Sequence, residues 1–152
     1  MYCMGKAQLE QLEKEGNYYS VPRGISMWPM IRNKQDVVEI RKLEGLAKRY
    51  DLVMYVRGEN QQGVIHRVLR VRENDYIING DNCWQKEYVP HDKVAGIVVR
   101  FCRKGKWHEV TEPRYRIYVH LWTDLFFIRR PILFLRDLAK KVLRKLGVRR
   151  SK

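Results

Sequence analysis

Residues 51–71 read DLVMYVRGENQQGVIHRVLRV. Two runs rich in β-branched and aromatic residues, 51–56 and 64–71, flank GENQQG at 58–63, where Gly, Asn and Gln mark a turn. The pattern is that of a β-hairpin. Outward from it, DVVEI (36–40), DYIING (75–80) and VAGIVVRF (94–101) repeat the theme: short runs suited to strands, bounded by Gly, Asn, Asp or Gln. From Tyr18 to about Trp107 the chain is expected to be mainly β. A short helix is expected over 6–15, where Leu9 and Leu12 lie three apart and charges fill the other faces. Gly16 can end it. No internal repeat and no low-complexity segment interrupts this order.

A chain of 152 residues suits one domain with its own core, and 45% apolar content argues for packing rather than disorder. The net charge of +14 is unevenly spread. Residues 129–152 hold ten Lys/Arg and one Asp, leaving a mildly basic body and a strongly basic tail. Cys3, Cys83 and Cys102 are odd in number and far apart, which suggests free thiols in a reducing compartment. His66, His91, His108 and His120 form no paired motif, so no metal and no cofactor is expected. Residues 1–16 lack the apolar core of a signal peptide. The longest apolar candidate, 118–138, is broken by Asp124, Arg129, Arg130 and Pro131 and does not read as a membrane span. The expected location is cytoplasmic, or peripheral at a membrane.

The character changes at Pro113, dividing a β domain (1–112) with its short N-terminal helix from a basic, aromatic tail (113–152). YRIYVHLWTDLFFIRR (115–130) is compatible with strand or helix. Pro131 suits the first position of a helix, in which Leu135, Leu138, Ala139, Val142 and Leu146 share one face. Lys140, Lys141, Arg144 and Lys145 fill much of the rest, and Trp122, Phe126, Phe127 and Phe134 lie nearby. Such a helix suits an anionic membrane surface. Docking of the apolar stripe on the β domain ranks second, and nucleic acid ranks below both.

Three short stretches carry candidate chemistry. VPRGISMWPMIRN (21–33) holds Ser26 between Gly24 and Pro29, and alone it reads as a turn. VIHRV (64–68) puts His66 in an apolar strand, where a packed histidine is the ordinary reading. INGDNCW (78–84) alone is loop chemistry. A serine hydroxyl becomes a nucleophile only when a positioned base takes its proton. Ser26 and His66 offer such a pair.

In this order the three stretches resemble the type I signal peptidases and the related self-cleaving repressor peptidases. GISMWPMI is similar to their Ser-Met-x-Pro box. VIHRV resembles the box in which the endoplasmic-reticulum and archaeal enzymes carry histidine and the bacterial enzymes carry lysine. INGDNCW resembles the Gly-Asp-Asn box, and YDLVMY (50–55) the strand that precedes the base. The resemblance covers about residues 16–99. It implies a coiled, mostly antiparallel β fold and a serine endopeptidase acting on exported or leader-bearing precursor peptides. It further implies Ser26 as nucleophile, His66 as general base and Asp81 as the acid that orients His66. Gly24, Met27 and Pro29 would shape the nucleophile loop, with the Ser26 N–H in the oxyanion hole, and Gly80, Asn82 and Asp51 would support the site. Substrate would add as a strand at an exposed edge, with Val21 and Pro22 near its small-residue pockets. A histidine base implies activity that falls below about pH 6.

The chain departs from the family in four places. Gly24 stands where many signal peptidases have a hydroxyl residue. Asn79 replaces a common basic residue before Gly80, and Arg49-Tyr50 replaces the glycine before Asp51. No N-terminal anchor is read. Two alternatives stay open. One is a self-cleaving regulator, for which 1–20 is too short for a helix-turn-helix domain and holds no Ala-Gly or Cys-Gly pair. The other is a non-catalytic peptide-binding module whose basic tail binds lipid or nucleic acid.

Overall fold

The computed structural model describes residues 4–58 and 62–146. Cys3, the tip of the 58–63 turn and the last basic residues of the tail lie outside the described residues. The protein is mainly β: eight strands form one curled antiparallel half-barrel, joined by three helices. In chain order these are α1 (Met4–Glu15), β1 (Asn17–Ser20), β2 (Val37–Lys42), β3 (Leu52–Arg57), β4 (Gln62–Val71), β5 (Asp75–Asn79) and β6 (Glu87–Pro90). A 3₁₀ turn (His91–Lys93) follows, then β7 (Val94–Arg103), β8 (Lys106–Glu109), α2 (Pro113–Asp124) and α3 (Phe126–Lys145). The sheet order is β1-β2-β7-β3-β4-β5-β6, and β8 pairs with β7.

The hairpin read from 51–71 forms as β3 and β4, with Val53 opposite His66 and Tyr55 opposite Val64. Because side chains alternate across a strand, this register puts His66 and Tyr55 on one face and Arg67 on the other. A bulge between Val68 and Arg70 ends the alternation. Two cores result. Leu12 of α1, Met27, Ile40, Leu52, Met54 and Val98 belong to the first. Val53, Tyr55, Val68, Tyr76 and Ile78 belong to the second. Gly16, at φ 72°, ends α1 in the left-handed conformation that suits glycine, and its N–H bonds the Leu12 carbonyl.

The ambiguous stretch 115–130 is helical, and so is the segment ahead of Pro131. Pro131 is therefore not the first residue of a helix. α3 begins at Phe126 and carries Pro131 inside it, forgoing the one bond that residue would donate to the Phe127 carbonyl. The Leu125 N–H still bonds the Leu121 carbonyl, and the Arg129 N–H bonds the Leu125 carbonyl, so helical pairing runs through the junction. α2 is seated on the body, with Val119 and Thr123 buried and Tyr115 against Phe101. Docking of the tail's apolar stripe is not what forms. Phe126 and Leu133 are the buried residues of α3, whereas Leu135, Leu138, Val142 and Leu146 are exposed. Among the described residues, no helix is long and apolar enough to cross a membrane.

One close approach decides how α1 closes the sheet. A Cβ on Gly96 of β7 would lie 2.6 Å from Ile40 Cγ2, 2.9 Å from the Arg41 carbonyl and 3.0 Å from Leu12 Cδ2. Gly96→Ala should cost about 1–3 kcal/mol through this overpacking, read as a lower midpoint in thermal or urea denaturation. An unchanged midpoint would refute the packing argument.

Candidate active site

The loop carrying Ser26 is held from below. Met27, Met30 and Ile31 are buried in the first core, whereas Ile25 and Trp28 project outward. Gly24 sits at φ 104° and donates its N–H to Asn33 Oδ1 at 2.9 Å. The Ile31 N–H bonds the Met27 carbonyl, and the Lys34 N–H bonds the Pro22 carbonyl. The Trp28–Pro29 peptide is cis. Two methionines in a short loop are thus its anchors, which leaves Ser26 half-buried at the rim.

The turn after β5 locks onto this loop. The Asn82 N–H donates to the Ser26 carbonyl at 2.7 Å, and Asn82 Nδ2 donates to the Ile25 carbonyl at 3.0 Å. The Asp81 N–H reaches Met27 Sδ at 3.5 Å. Gly80 is where loop and base meet: a Cβ there would lie 2.8 Å from the Ser26 carbonyl oxygen and 3.0 Å from His66 Nε2. Only a residue without a side chain lets the two come together. Among the described residues the Ser26 hydroxyl has no hydrogen-bond partner, so Ser26 and His66 are neighbours without being bonded.

The network around His66 assigns its tautomer. His66 is buried, and Nδ1 lies 3.1 Å from the Tyr55 hydroxyl and 3.1 Å from Glu87 Oε1. The single Tyr55 proton goes to Glu87 Oε2 at 2.7 Å. A carboxylate only accepts, and the Tyr55 oxygen, its proton spent, also accepts. Nδ1 therefore carries the imidazole proton, and Nε2, facing Gly80 and the Ser26 loop, is left as the basic nitrogen. Arg57 completes the group, donating to both Glu87 oxygens and to the Tyr55 oxygen. Burial pushes the Glu87 carboxyl up, but bonds from His66 and Tyr55 and the Arg57 charge outweigh it, and the carboxyl falls to about 2. Burial and the bond to Glu87 raise the Tyr55 phenol, which stays protonated.

Asp81 does not orient His66. It forms a two-pronged pair with Arg67, Nε to Oδ1 at 2.9 Å and Nη2 to Oδ2 at 2.8 Å, and both side chains are almost fully buried. The reason is the strand register. Arg67 and His66 point to opposite faces of β4, and Asp81 lies on the Arg67 side. Arg67 also donates to the Tyr50 carbonyl and the Tyr115 hydroxyl, and Tyr118 donates to Asp81 Oδ2. Asp51 is likewise remote from the base. Its carboxylate accepts from the Lys48 N–H at 2.7 Å and its carbonyl from the Val68 N–H. It lines a cavity of about 280 Å³ beneath α2 that contains none of Ser26, His66 and Glu87. Lys140, Lys141, Arg144 and Lys145 lie exposed on α3, beyond its last bonds to the turn.

Helices α2 and α3 clamp the turn from outside. Trp122 Nε1 and Arg129 donate to the Asp81 carbonyl, and Arg136 donates to the Asn82 side chain and carbonyl. Trp84 meets Phe134 edge-on at 5.0 Å. Cys83 is adjacent to Gly80, but burial, followed by the charges of Glu87 and Asp137, raises its thiol, so it is no thiolate nucleophile. Among the described residues, no group of His, Cys, Asp and Glu could hold a metal ion. Glu87 and Tyr55 escaped the sequence reading. The one signal for Glu87 was its place at the start of a strand-like run after the Gly-Asp-Asn turn.

No family model, curated protein or solved structure matches the chain. The geometry therefore carries the functional argument.

Removing either partner of the Arg67–Asp81 pair leaves a buried charge unpaired. Arg67→Met or Asp81→Asn alone should cost about 3–5 kcal/mol, with the double change costing clearly less than the sum of the two. Urea denaturation of the three variants measures this, and additive losses would count against the pair.

Proposed function

We propose that the chain is a serine endopeptidase of the signal-peptidase-like type, cleaving exported or leader-bearing precursor peptides at or near a membrane surface. The observation that carries this reading is the direction of His66. Its Nδ1 is occupied by Tyr55 and Glu87, and its free Nε2 points to Gly80, against which the Ser26 carbonyl is packed. In the proposed reaction rotation of the Ser26 side chain brings Oγ to Nε2. His66 takes the proton as Oγ attacks the scissile carbonyl, then returns it to the leaving amine. Water, deprotonated by the same nitrogen, releases the acyl group. Glu87 steadies the imidazolium that forms in each step. The backbone N–H of Ser26, which donates to no acceptor among the described residues, is the proposed oxyanion donor. β1 pairs on one side only and runs directly into the Ser26 loop, so its open edge is the proposed track for an extended substrate.

The first test is digestion of a peptide library at neutral pH, analysed by mass spectrometry. Cuts after small residues are expected for the wild type, with losses of at least about 10³-fold in Ser26→Ala and His66→Ala. A wild type that cuts nothing, with or without vesicles, would favour the peptide-binding module instead.

Glu87 gives a sharper second test. Glu87→Gln should lower kcat at least about tenfold, short of the roughly 10⁴-fold loss that follows when a fully buried orienting carboxylate is replaced. Steady-state kinetics on a peptide that the wild type cuts measures this, and a kcat equal to that of the wild type would exclude Glu87 from this role.

A further inference from the structure

α3 turns a mixed face toward the body and leaves an apolar row exposed. At about 100° per residue, Phe126, Arg129, Leu133 and Arg136 fall on one side of α3. These residues are buried or bond the 79–82 turn. On roughly the opposite side lie Ile128, Ile132 and Leu135, all exposed, followed by Val142 and Leu146. The row does not begin with α3. Ile117, Leu121 and Leu125 are exposed at intervals of four along α2. Leu125, the last of them, is the residue at which α2 passes into α3, and its N–H and carbonyl bond both helices.

The charges beside this row are almost all of one sign. Residues 113–146 hold nine Lys/Arg against two acidic residues, Asp124 and Asp137. Both acids are engaged, Asp124 by Arg49 and Tyr50 and Asp137 by Arg136. A second copy of the chain would set this positive row against its own likeness. Nucleic acid would answer the charge but leave the apolar row in water. An anionic bilayer answers both, taking the apolar side chains below the headgroups and meeting Lys141 and Lys145 with lipid phosphate.

We propose that α2 and α3 together form one bilayer-docking platform, lying in the plane of an anionic membrane with the apolar row inward and the Arg129–Arg136 face outward against the 79–82 turn. The platform deepens the membrane side of the reading above, and it is scored without proteolysis, so it stands or falls apart from the peptidase assignment. Its geometry puts the turn that holds Ser26 about one helix diameter, ~10 Å, above the lipid.

The test is flotation of the full chain with phosphatidylcholine vesicles with and without phosphatidylglycerol. The wild type should float with the anionic vesicles and remain in the dense fraction with phosphatidylcholine alone, and salt should release it. Ile128→Asp/Ile132→Asp/Leu135→Asp should reduce partitioning at least about tenfold, and Lys141→Glu/Lys145→Glu should do so as well. A thermal melt equal to wild type shows that each variant is folded. If the triple variant melts early, Val142→Asp/Leu146→Asp, placed beyond the last bond to the body, is scored in its place. The proposal is overturned if the wild type floats with neither vesicle, or if the folded stripe variants float like wild type. It is equally overturned if light scattering shows a lipid-free dimer that the stripe variants dissociate, or if an oligonucleotide binds where vesicles do not.

Discussion

Arg67 and Asp81, an ion pair almost without solvent, tie the strand that carries His66 to the turn that holds the Ser26 loop. Taking both charges from water is costly, and two parallel bonds plus those from Tyr118 and to Tyr50 and Tyr115 offset that cost. What the pair supplies is position. With Asp81 fixed, Gly80 lies against His66 on one side and Asn82 against Ser26 on the other. The aspartate in the Gly-Asp-Asn stretch is thus explained by architecture, while the orienting of His66 falls to Glu87 and Tyr55.

That division separates two jobs that a single acidic residue performs in many hydrolytic sites. The carboxylate facing the imidazole is partly open to solvent and is held by Arg57. The carboxylate behind the turn is sealed. A partly solvated acid stabilises a transient positive charge less strongly than a buried one, because water screens it. It also leaves His66 less dependent on one contact, since Tyr55 still accepts from Nδ1.

How much of this was legible in the sequence follows from how local each signal is. The hairpin, the Gly16 stop and the Ser26 loop are written in neighbouring residues, and the structure forms them where the pattern stands. Alternation along β4 separates His66 from Arg67. It could not tell that Arg67, a charged residue in a strand, would be buried as deeply as Val68 beside it. Tyr55 sits in LVMYV, where it reads as core. Glu87 sits in WQKEYVP, where it reads as surface. Only the pairing of β5 with β6, which sets Glu87 opposite Ile78, brings that carboxylate toward His66. Pro131 misled for a related reason: a proline is a strong local punctuation mark, but a helix already running from Phe126 tolerates one missing donor.

The order of the strands has one more consequence. Ser26 is reached from β1 and its partner turn from β5, and these strands stand five places apart in the sheet. What joins them is the reach of one loop, latched by two bonds from Asn82. The Ser26–His66 pair is therefore a gauge of sheet curvature. Flattening the half-barrel anywhere between β1 and β5 would draw Ser26 away from His66 without altering a single residue of the site.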